Sequence, residues 1–335
     1  MLRIQTNSEI NKAEWSALVL ACGTGTWFQT PEAYAFFASL PTVFSPFALA
    51  VTDDGVLRGV CVGYVTKESN ALRQYFSRRA IILGGPALAD DCRTEEAELL
   101  MRSVQERLQS QAIYIETRNF NDYSPWREAF LRAGFAYRPH LNFHIDCSNR
   151  AEMDARLSEV RRRQLKKAVK SGAVVKSEGI SESEIKAYYE ILSRLYRTKV
   201  KTPLFPEELF LEFWRSGVGK YLLVKYDEKV IGGIMCLVLE GRTIYEWYVC
   251  GLDSEYKDQY PSVMATYAAM DYAAANGLQR FDVMGAGQPG VPYGVRDFKS
   301  EFGGQLVEHG RFVCVQKPIL YRLGTLVVKQ MKKMK

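Results

Sequence analysis

The sequence predicts an α+β fold built twice, each copy a mainly antiparallel sheet flanked by helices and split where a buried helix intervenes. Three observations lead there. Pro31-Glu32 and Pro206-Glu207 each open an aromatic-rich helix, and each helix is followed by a pair of apolar runs joined by a tight turn. A long helix then precedes a short strand in both halves, Ala112 to Glu116 in the first and Arg280 to Met284 in the second. Phe302-Gly303 closes the second series where Gly134-Phe135 closes the first. The matching landmarks keep their spacing to within a few residues over roughly 100 positions, the scale of a domain and not of a solenoid repeat.

Taken in order, Thr30-Pro31-Glu32 reads as an N-cap, a proline at the first helical position and an acid at the positive end of the helix dipole. Ala48 to Thr52 and Val56 to Val65 form a hairpin across Asp53-Asp54-Gly55, and Ala80 to Leu83 is a third strand. From Thr94 to about Gln111, Ala97, Leu100, Met101, Val104 and Leu108 recur at helical spacing. Trp126 to Ala133 reads as a helix, and Tyr137 to Ile145 as the strand that closes the first half. In the second half Ser181-x-x-Glu184 is a capping box. Tyr221 to Tyr226, Val230 to Leu239 and Thr243 to Gly251 read as strands. Val263 to Asn276 is apolar nearly all round, hence a buried helix, stopped by Gly277. The expected domains are residues 1–148 and 177–317, with a basic helical linker at 149–176 and a basic amphipathic tail at 318–335.

With 335 residues the chain has room for two ordinary domains, and 47% apolar with 24% charged residues is a globular composition. A net charge of +6 suits a nucleotide, a phosphorylated substrate or an anionic membrane surface without selecting among them. Seven scattered cysteines, never spaced C-x-x-C, fit a reducing compartment and small apolar packing, not a disulfide framework or zinc site. No signal peptide is evident, and no apolar run reaches the roughly 20 residues of a membrane span. The expected location is cytoplasmic, with peripheral contact at the inner membrane surface through the tail, where Leu320, Leu323, Leu326 and Val327 fall at helical spacing. Three histidines, no G-x-S-x-G, no H-E-x-x-H and no P-loop leave hydrolase, metal and NTPase chemistry without support. His140 and His144 read as core or surface residues, with no third ligand near them.

The stretch Gly285 to Gly304, GAGQPGVPYGVRDFKSEFGG, is the densest in chemistry. Gly285, Gly287, Gly290 and Gly294 permit close backbone approaches, Pro289 and Pro292 stiffen the loop, and Tyr293, Arg296 and Lys299 follow. Such a loop suits an anionic ligand. Its formal G-x-G-x-x-G match is not a dinucleotide fingerprint, because Pro289 and Pro292 prevent a helix from starting on time. The basic run holding Arg163 and Lys167 supplies further cations for a substrate.

The doubled architecture, RRRQLKKAVKSG from Arg161 to Gly172, and F-K-x-x-F-G at Phe298 to Gly303 together resemble the FemAB-like (FemABX) aminoacyltransferases, over nearly the whole chain. The resemblance implies two GNAT-like acyltransferase domains in tandem, in the compact form without a coiled-coil arm. Characterised members move an amino acid from aminoacyl-tRNA to an amine on a peptidoglycan precursor, and the motif lysine, here Lys299, works at the active site near phosphate or developing charge. The implied chemistry is direct attack of an amine on an ester or thioester carbonyl, with no bound cofactor and no metal. Glu246, Tyr248 or Asp282 would relay the proton, Tyr293 would assist the leaving group or a phosphate, and Arg296 with Lys299 suits a diphosphate. The glycine-rich loop by which GNAT enzymes hold coenzyme A is missing from Ser254 to Ser262, which favours aminoacyl-tRNA over acyl-CoA as donor. The expected acceptor is a nucleotide- or lipid-linked glycan precursor. Two alternatives stand beside this reading: an acyl-CoA-dependent N-acyltransferase on another amine, and a non-catalytic GNAT-like protein that binds phosphorylated ligands or RNA.

Overall fold

The computed structural model describes residues 1–67 and 78–333, with side chains described as far as Thr325 in the last helix. The chain forms two compact units, one made of Met1–Pro139 with His309–Lys335, the other of His140–Glu308.

The first unit holds β1 (Leu2–Thr6), α1 (Lys12–Ala21), α2 (Pro31–Ala38), β2 (Phe44–Asp53), β3 (Val56–Thr66), β4 (Arg79–Gly84) and β5 (Ala87–Leu88). It continues with α3 (Thr94–Leu108), β6 (Tyr114–Asn119), α4 (Arg127–Arg132) and β7 (Ala136–Arg138). The second unit holds β8 (Leu141–Asp146), α5 (Arg150–Arg156), α6 (Glu159–Lys170), β9 (Val174–Lys176), α7 (Glu182–Leu195), α8 (Glu207–Ser216), β10 (Gly219–Tyr226) and β11 (Lys229–Leu239). It ends with β12 (Thr243–Gly251), α9 (Pro261–Ala275), β13 (Arg280–Asp282), α10 (Gly294–Ser300) and β14 (Gln305–Glu308). The chain then returns to the first unit with β15 (Arg311–Val315) and α11 (Pro318–Lys333).

Local chemistry sets these elements as expected. Thr30 Oγ1 accepts from Ala33 N at 3.1 Å and Pro31 opens α2. Ser181 and Glu184 form the capping box of α7. Asp54 and Gly55, and likewise Asp227 and Glu228, have positive φ, as a tight two-residue hairpin turn with the right twist requires. In the first unit Ala97, Leu100, Met101, Val104 and Leu108 put one face of α3 against the sheet and are buried. In the second, α9 buries Val263, Met264, Ala265, Ala269, Met270 and Ala273.

The two sheets have the same plan. Strand order is β1-β2-β3-β4-β6-β15-β7 in the first, with β5 on β3, and β9-β10-β11-β12-β13-β8-β14 in the second. Each contains one parallel pair, β4 with β6 and β12 with β13, in an otherwise antiparallel ladder. The penultimate strand of each sheet comes from the other end of the repeat. β8 runs between β13 and β14, and β15 runs between β6 and β7.

This exchange departs from the expected boundaries. The strand expected over Tyr137 to Ile145 is two strands interrupted at Pro139-His140. Proline has no N–H to give the ladder, and beyond it the chain leaves the first sheet and β8 joins the second. Residues 311–315, expected in the second domain, complete the first sheet instead. The basic helix expected over 149–172 is also two helices, because Ser158 accepts from Arg161 N at 3.1 Å and caps α6 afresh. In α11, Ile319 and Leu323 are exposed, while the side chains of Leu326, Val327 and the closing lysines lie outside the described residues. Among the described residues no helix is long and apolar enough to cross a membrane.

Because β15 is internal to the first sheet, its loss should unfold that unit and not merely shorten a tail. Phe312 on β15 is 1% exposed and stacks on Phe130 with centroids 4.2 Å apart. Phe312→Ala should cost about 3–5 kcal/mol in urea unfolding, and a chain ended at Glu308 should lose its cooperative transition. A truncated chain that melts like the full one would mean that the first unit does not need β15.

Candidate active site

The second sheet opens where the first stays closed. In the first unit β4 and β6 pair along their whole length, from Arg79 opposite Tyr114 to Gly84 opposite Asn119. In the second, β12 and β13 pair only at Thr243–Arg280, Ile244–Phe281 and Tyr245–Asp282, and then part while β12 runs on to Gly251. A β-bulge marks the same place: Cys236 faces Glu246 and Met235 faces Tyr248, so Trp247 has no opposite residue on β11. Bulges of this kind bend a strand and re-aim its side chains. Beyond the parting, β12 keeps its ladder to β11 but has no strand on its other edge among the described residues.

Lys299 sits across this opening. It is 8% exposed, and its ammonium donates to Val283 O at 2.6 Å and Gly285 O at 3.0 Å, both on the chain leaving β13. It also pairs with Glu246 Oε1 on β12 at 2.9 Å. An ammonium has three donors, and all three are engaged inside the fold. Lys299, expected to face phosphate or developing charge, thus ties together the two strands that separate. Glu246 is 5% exposed, and its second oxygen, Oε2, is buried without a hydrogen-bond partner. Burial pushes the Glu246 carboxyl above the usual carboxylate range, and Lys299 offsets only part of that.

The signature around Lys299 is a packing device. Phe302 is fully buried, and Arg161 of α6 lies over the Phe298 and Phe302 rings at 4.4 and 5.2 Å. Arg161 also donates to Phe298 O at 3.3 Å and pairs with Glu301 at 3.4 Å. Gly303 must be glycine: its φ is +77°, and a Cβ there would lie 2.4 Å from Arg156 O. These contacts fix α10, and with it the direction of Lys299.

The glycine loop is held from within. Arg296 Nε donates to Ala286 O at 2.8 Å, and Nη2 donates to Gln288 O at 2.6 Å and Val291 O at 3.0 Å. Arg296, expected to meet a diphosphate, clasps its own loop. Tyr293 is 43% exposed and lies against Gly287, where a Cβ would stand 2.8 Å from the ring. Gly285 (φ +131°) and Gly290 (φ +71°) supply backbone turns, whereas Gly294 opens α10 without a conformational demand for glycine.

Asp282, at the end of β13, is fully buried among polar partners. Its Oδ1 accepts from Asn142 Nδ2 and Met284 N, both at 2.8 Å, and its Oδ2 pairs with His144 Nε2 at 3.2 Å. Burial alone would raise its pKa, but His144, Arg280 and Asn142 outweigh it and the carboxyl stays below its usual range. Asp282 is therefore a fixed anion, while Glu246 is the carboxylate left open to a proton. His144 and Asn142 carry no motif and lie far from Asp282 in sequence, so only strand pairing brings them together. Tyr248, the remaining candidate, packs on Phe210 and Tyr196 with centroids 5.1 and 6.0 Å away, and its carbonyl accepts from Tyr188 Oη.

The cations of α6 divide by helical phase. Lys167 pairs with Asp258 at 2.7 Å and Arg163 is exposed, while Arg162, Lys166 and Lys170 line a separate groove. At the N-terminus of α9, where a GNAT enzyme would hold a pyrophosphate, Ser262 N donates to Asp253 Oδ1 at 3.1 Å. The chain's own carboxylate occupies that positive end. Gly232 and Gly251 face one another beneath it, and a Cβ on Gly251 would lie 2.5 Å from Ser262 N. Among the described residues no group of His, Cys, Asp or Glu is arranged to hold a metal ion.

Lys299→Ala would leave the Glu246 carboxylate and two loop carbonyls without their cation. Removing one partner of a buried pair costs about 3–5 kcal/mol, so this variant should lose stability and loop order together. A Lys299→Ala protein as stable as the wild type in urea would contradict the strut role.

Residues 155–300 match the family model described as an acetyltransferase (GNAT) domain. Among solved structures, FemX superposes with a TM-score of 0.72 at 15% identity, covering 96% of this chain and 99% of FemX. A tandem GNAT protein from the clavulanic acid biosynthesis pathway gives 0.59 at 10% identity, covering 94% of this chain and 99% of that one. L-PGS from Bacillus licheniformis gives 0.57 at 12% identity, covering 94% and 96%. No curated protein matches the sequence significantly. At these identities the likeness is one of fold. Residues 155–300 thus match a GNAT acetyltransferase domain model, and the chain as a whole has a tandem GNAT fold like that of FemX.

Proposed function

We propose that this chain is an aminoacyltransferase that moves an activated aminoacyl group to an amine of a cell-wall or surface-glycan precursor, with its reaction centre where β12 and β13 part. The observation that carries this reading is the parting itself, found in one unit only, with a buried carboxylate at its apex whose Oε2 is unengaged. FemX and L-PGS support aminoacyl transfer among acyl transfers.

The acceptor amine attacks the ester carbonyl, the new C–N bond forms, and the carbonyl oxygen takes up negative charge. The free edge of β12 beyond Tyr245 offers backbone N–H groups for that oxyanion, held by the ladder to β11 and needing no rearrangement. Glu246 Oε2 accepts the proton that the amine gives up. The C–O bond to the donor breaks, and the proton returns to the leaving alkoxide. Burial suits Glu246 to this, because a raised pKa makes its carboxylate a stronger base. Lys299 acts through Glu246 and the loop as a positioning residue. The Asp253 carboxylate at the N-terminus of α9 favours an aminoacyl-tRNA donor over coenzyme A, since a pyrophosphate placed there would meet a like charge.

Glu246→Gln keeps an oxygen for Lys299 but removes the base. In single-turnover transfer from aminoacyl-tRNA to a UDP-linked muropeptide, it should lower the rate about 10²–10⁴-fold. The wild-type rate should climb as pH rises through the raised Glu246 pKa, because the basic form exists only above it, and the variant should lack that limb. An unchanged rate and pH profile would remove Glu246 from the mechanism. Transfer from acetyl-CoA but not from aminoacyl-tRNA would replace the donor, and binding without any transfer would make the protein a non-catalytic relative.

A further inference from the structure

A second site lies wholly within the second unit and shares no residue with the parted strands. A groove of about 890 Å³ runs between α5–α6 and α9, above β9 and β10. That is within the roughly 300–1,000 Å³ typical of small-ligand sites. Its floor is mostly aliphatic, with Leu157, Leu165, Leu222, Met264 and Ala268, and Tyr267 and Tyr272 line it beside them. At its mouth Val169 and Val175 are 64% and 40% exposed, on a stretch where Val160 and Val174 are exposed as well. An uncovered run of β-branched side chains beside a mostly aliphatic floor marks a surface meant for apolar contact.

The rim along α6 is positive. Arg162, Lys166 and Lys170 stand one turn apart on α6, about 6 Å from each to the next along the axis. None of the three makes an ion pair among the described residues, and Arg162 has only a 3.5 Å contact to Ala155 O. The acids of the groove are already engaged: Asp154 accepts from Tyr267 Oη at 2.9 Å, and Asp271 pairs with Arg150. The groove therefore carries more cations than acids, with Arg162, Lys166 and Lys170 unpaired above a surface that water wets poorly.

We propose that this groove binds one lipid phosphate, an aliphatic chain along Leu157–Met264 with its phosphate or diphosphate head against Arg162, Lys166 and Lys170. Charge complementarity selects an anion, and the predominantly aliphatic floor with the exposed valines at its mouth suits a hydrocarbon tail. The two halves of the ligand are held by different forces, so neither a free phosphate nor an uncharged chain satisfies the site. The inference stands on the groove alone and does not require transfer activity.

The test is isothermal titration calorimetry on the full chain with decyl phosphate, decanol and inorganic phosphate, all below micellar concentrations, and with a ten-nucleotide RNA. Decyl phosphate should bind one to one and at least tenfold tighter than decanol or inorganic phosphate. Lys166→Ala with Lys170→Ala, and separately Val169→Glu, should each weaken it at least tenfold. All three positions are exposed, so the melting temperature should not move. Absence of decyl phosphate binding, or equal binding by inorganic phosphate, would overturn the proposal. So would binding that both variants leave unchanged, or RNA that binds tighter and displaces decyl phosphate.

Discussion

The Lys299 ammonium bridges the two strands at the point where they part. Parallel strands that diverge strip their facing carbonyls of ladder partners, and buried carbonyls without partners are costly. Lys299 answers that cost at a single point by donating hydrogen bonds to Val283 O and Gly285 O while pairing with Glu246. Burying both charges is expensive in itself, so the pair is better understood as fixing a geometry than as adding stability. What it fixes is the parting of the strands, with a buried, unengaged carboxylate oxygen beside it.

The first unit shows the alternative. With the same strand order, its parallel pair closes along the full length of β4, and Tyr123 Oη donates to Gly84 O and Pro86 O at 3.0 and 2.6 Å just past it. Among the described residues no cation bridges that point, where the strands stay paired. One architecture thus yields a sealed sheet and an open one, and the difference lies in a few residues around positions 246 and 283–299. The strand exchange adds a further dependence. Asn142 and His144, which hold Asp282 beside the opening, come from β8, a segment that precedes every other element of the second unit.

Local structure was legible in the sequence because it depends on near neighbours. The helical spacing of Ala97 to Leu108, the Ser181 box, both Pro-Glu helix starts and the two hairpins all follow from contacts within a few positions. The destinations of β8 and β15 were not legible, since alternation reveals a strand and not its partner. At the site, glycines, prolines and cations mark the stretch from Gly285 to Gly304 in the sequence, but not the direction in which its cations point. Cations in a glycine loop read as ligands for an anion, whereas Arg296 and Lys299 turn inward to loop carbonyls that composition does not reveal. On α6 the sequence singled out Arg163 and Lys167, yet helical phase turns Arg162, Lys166 and Lys170 toward the groove. His144 was set aside as a metal ligand, and its pairing with Asp282 depends on a register that no local pattern encodes.

The same reasoning bears on the donor. A GNAT sheet opening gains its usual ligand from two features, the parted strands and a free helix N-terminus beside them. Here the first is present and the second is filled by Asp253, while Gly232 and Gly251 let α9 press so close that little room remains at its tip. On the proposed reading, the donor is then held by something other than a pyrophosphate at that helix. An ester whose charge lies along an extended backbone meets that condition, because its binding is distributed over many weak contacts and its reactive carbonyl needs only the strand edge. On that reading, the filled helix end suits a substrate large enough to be gripped elsewhere.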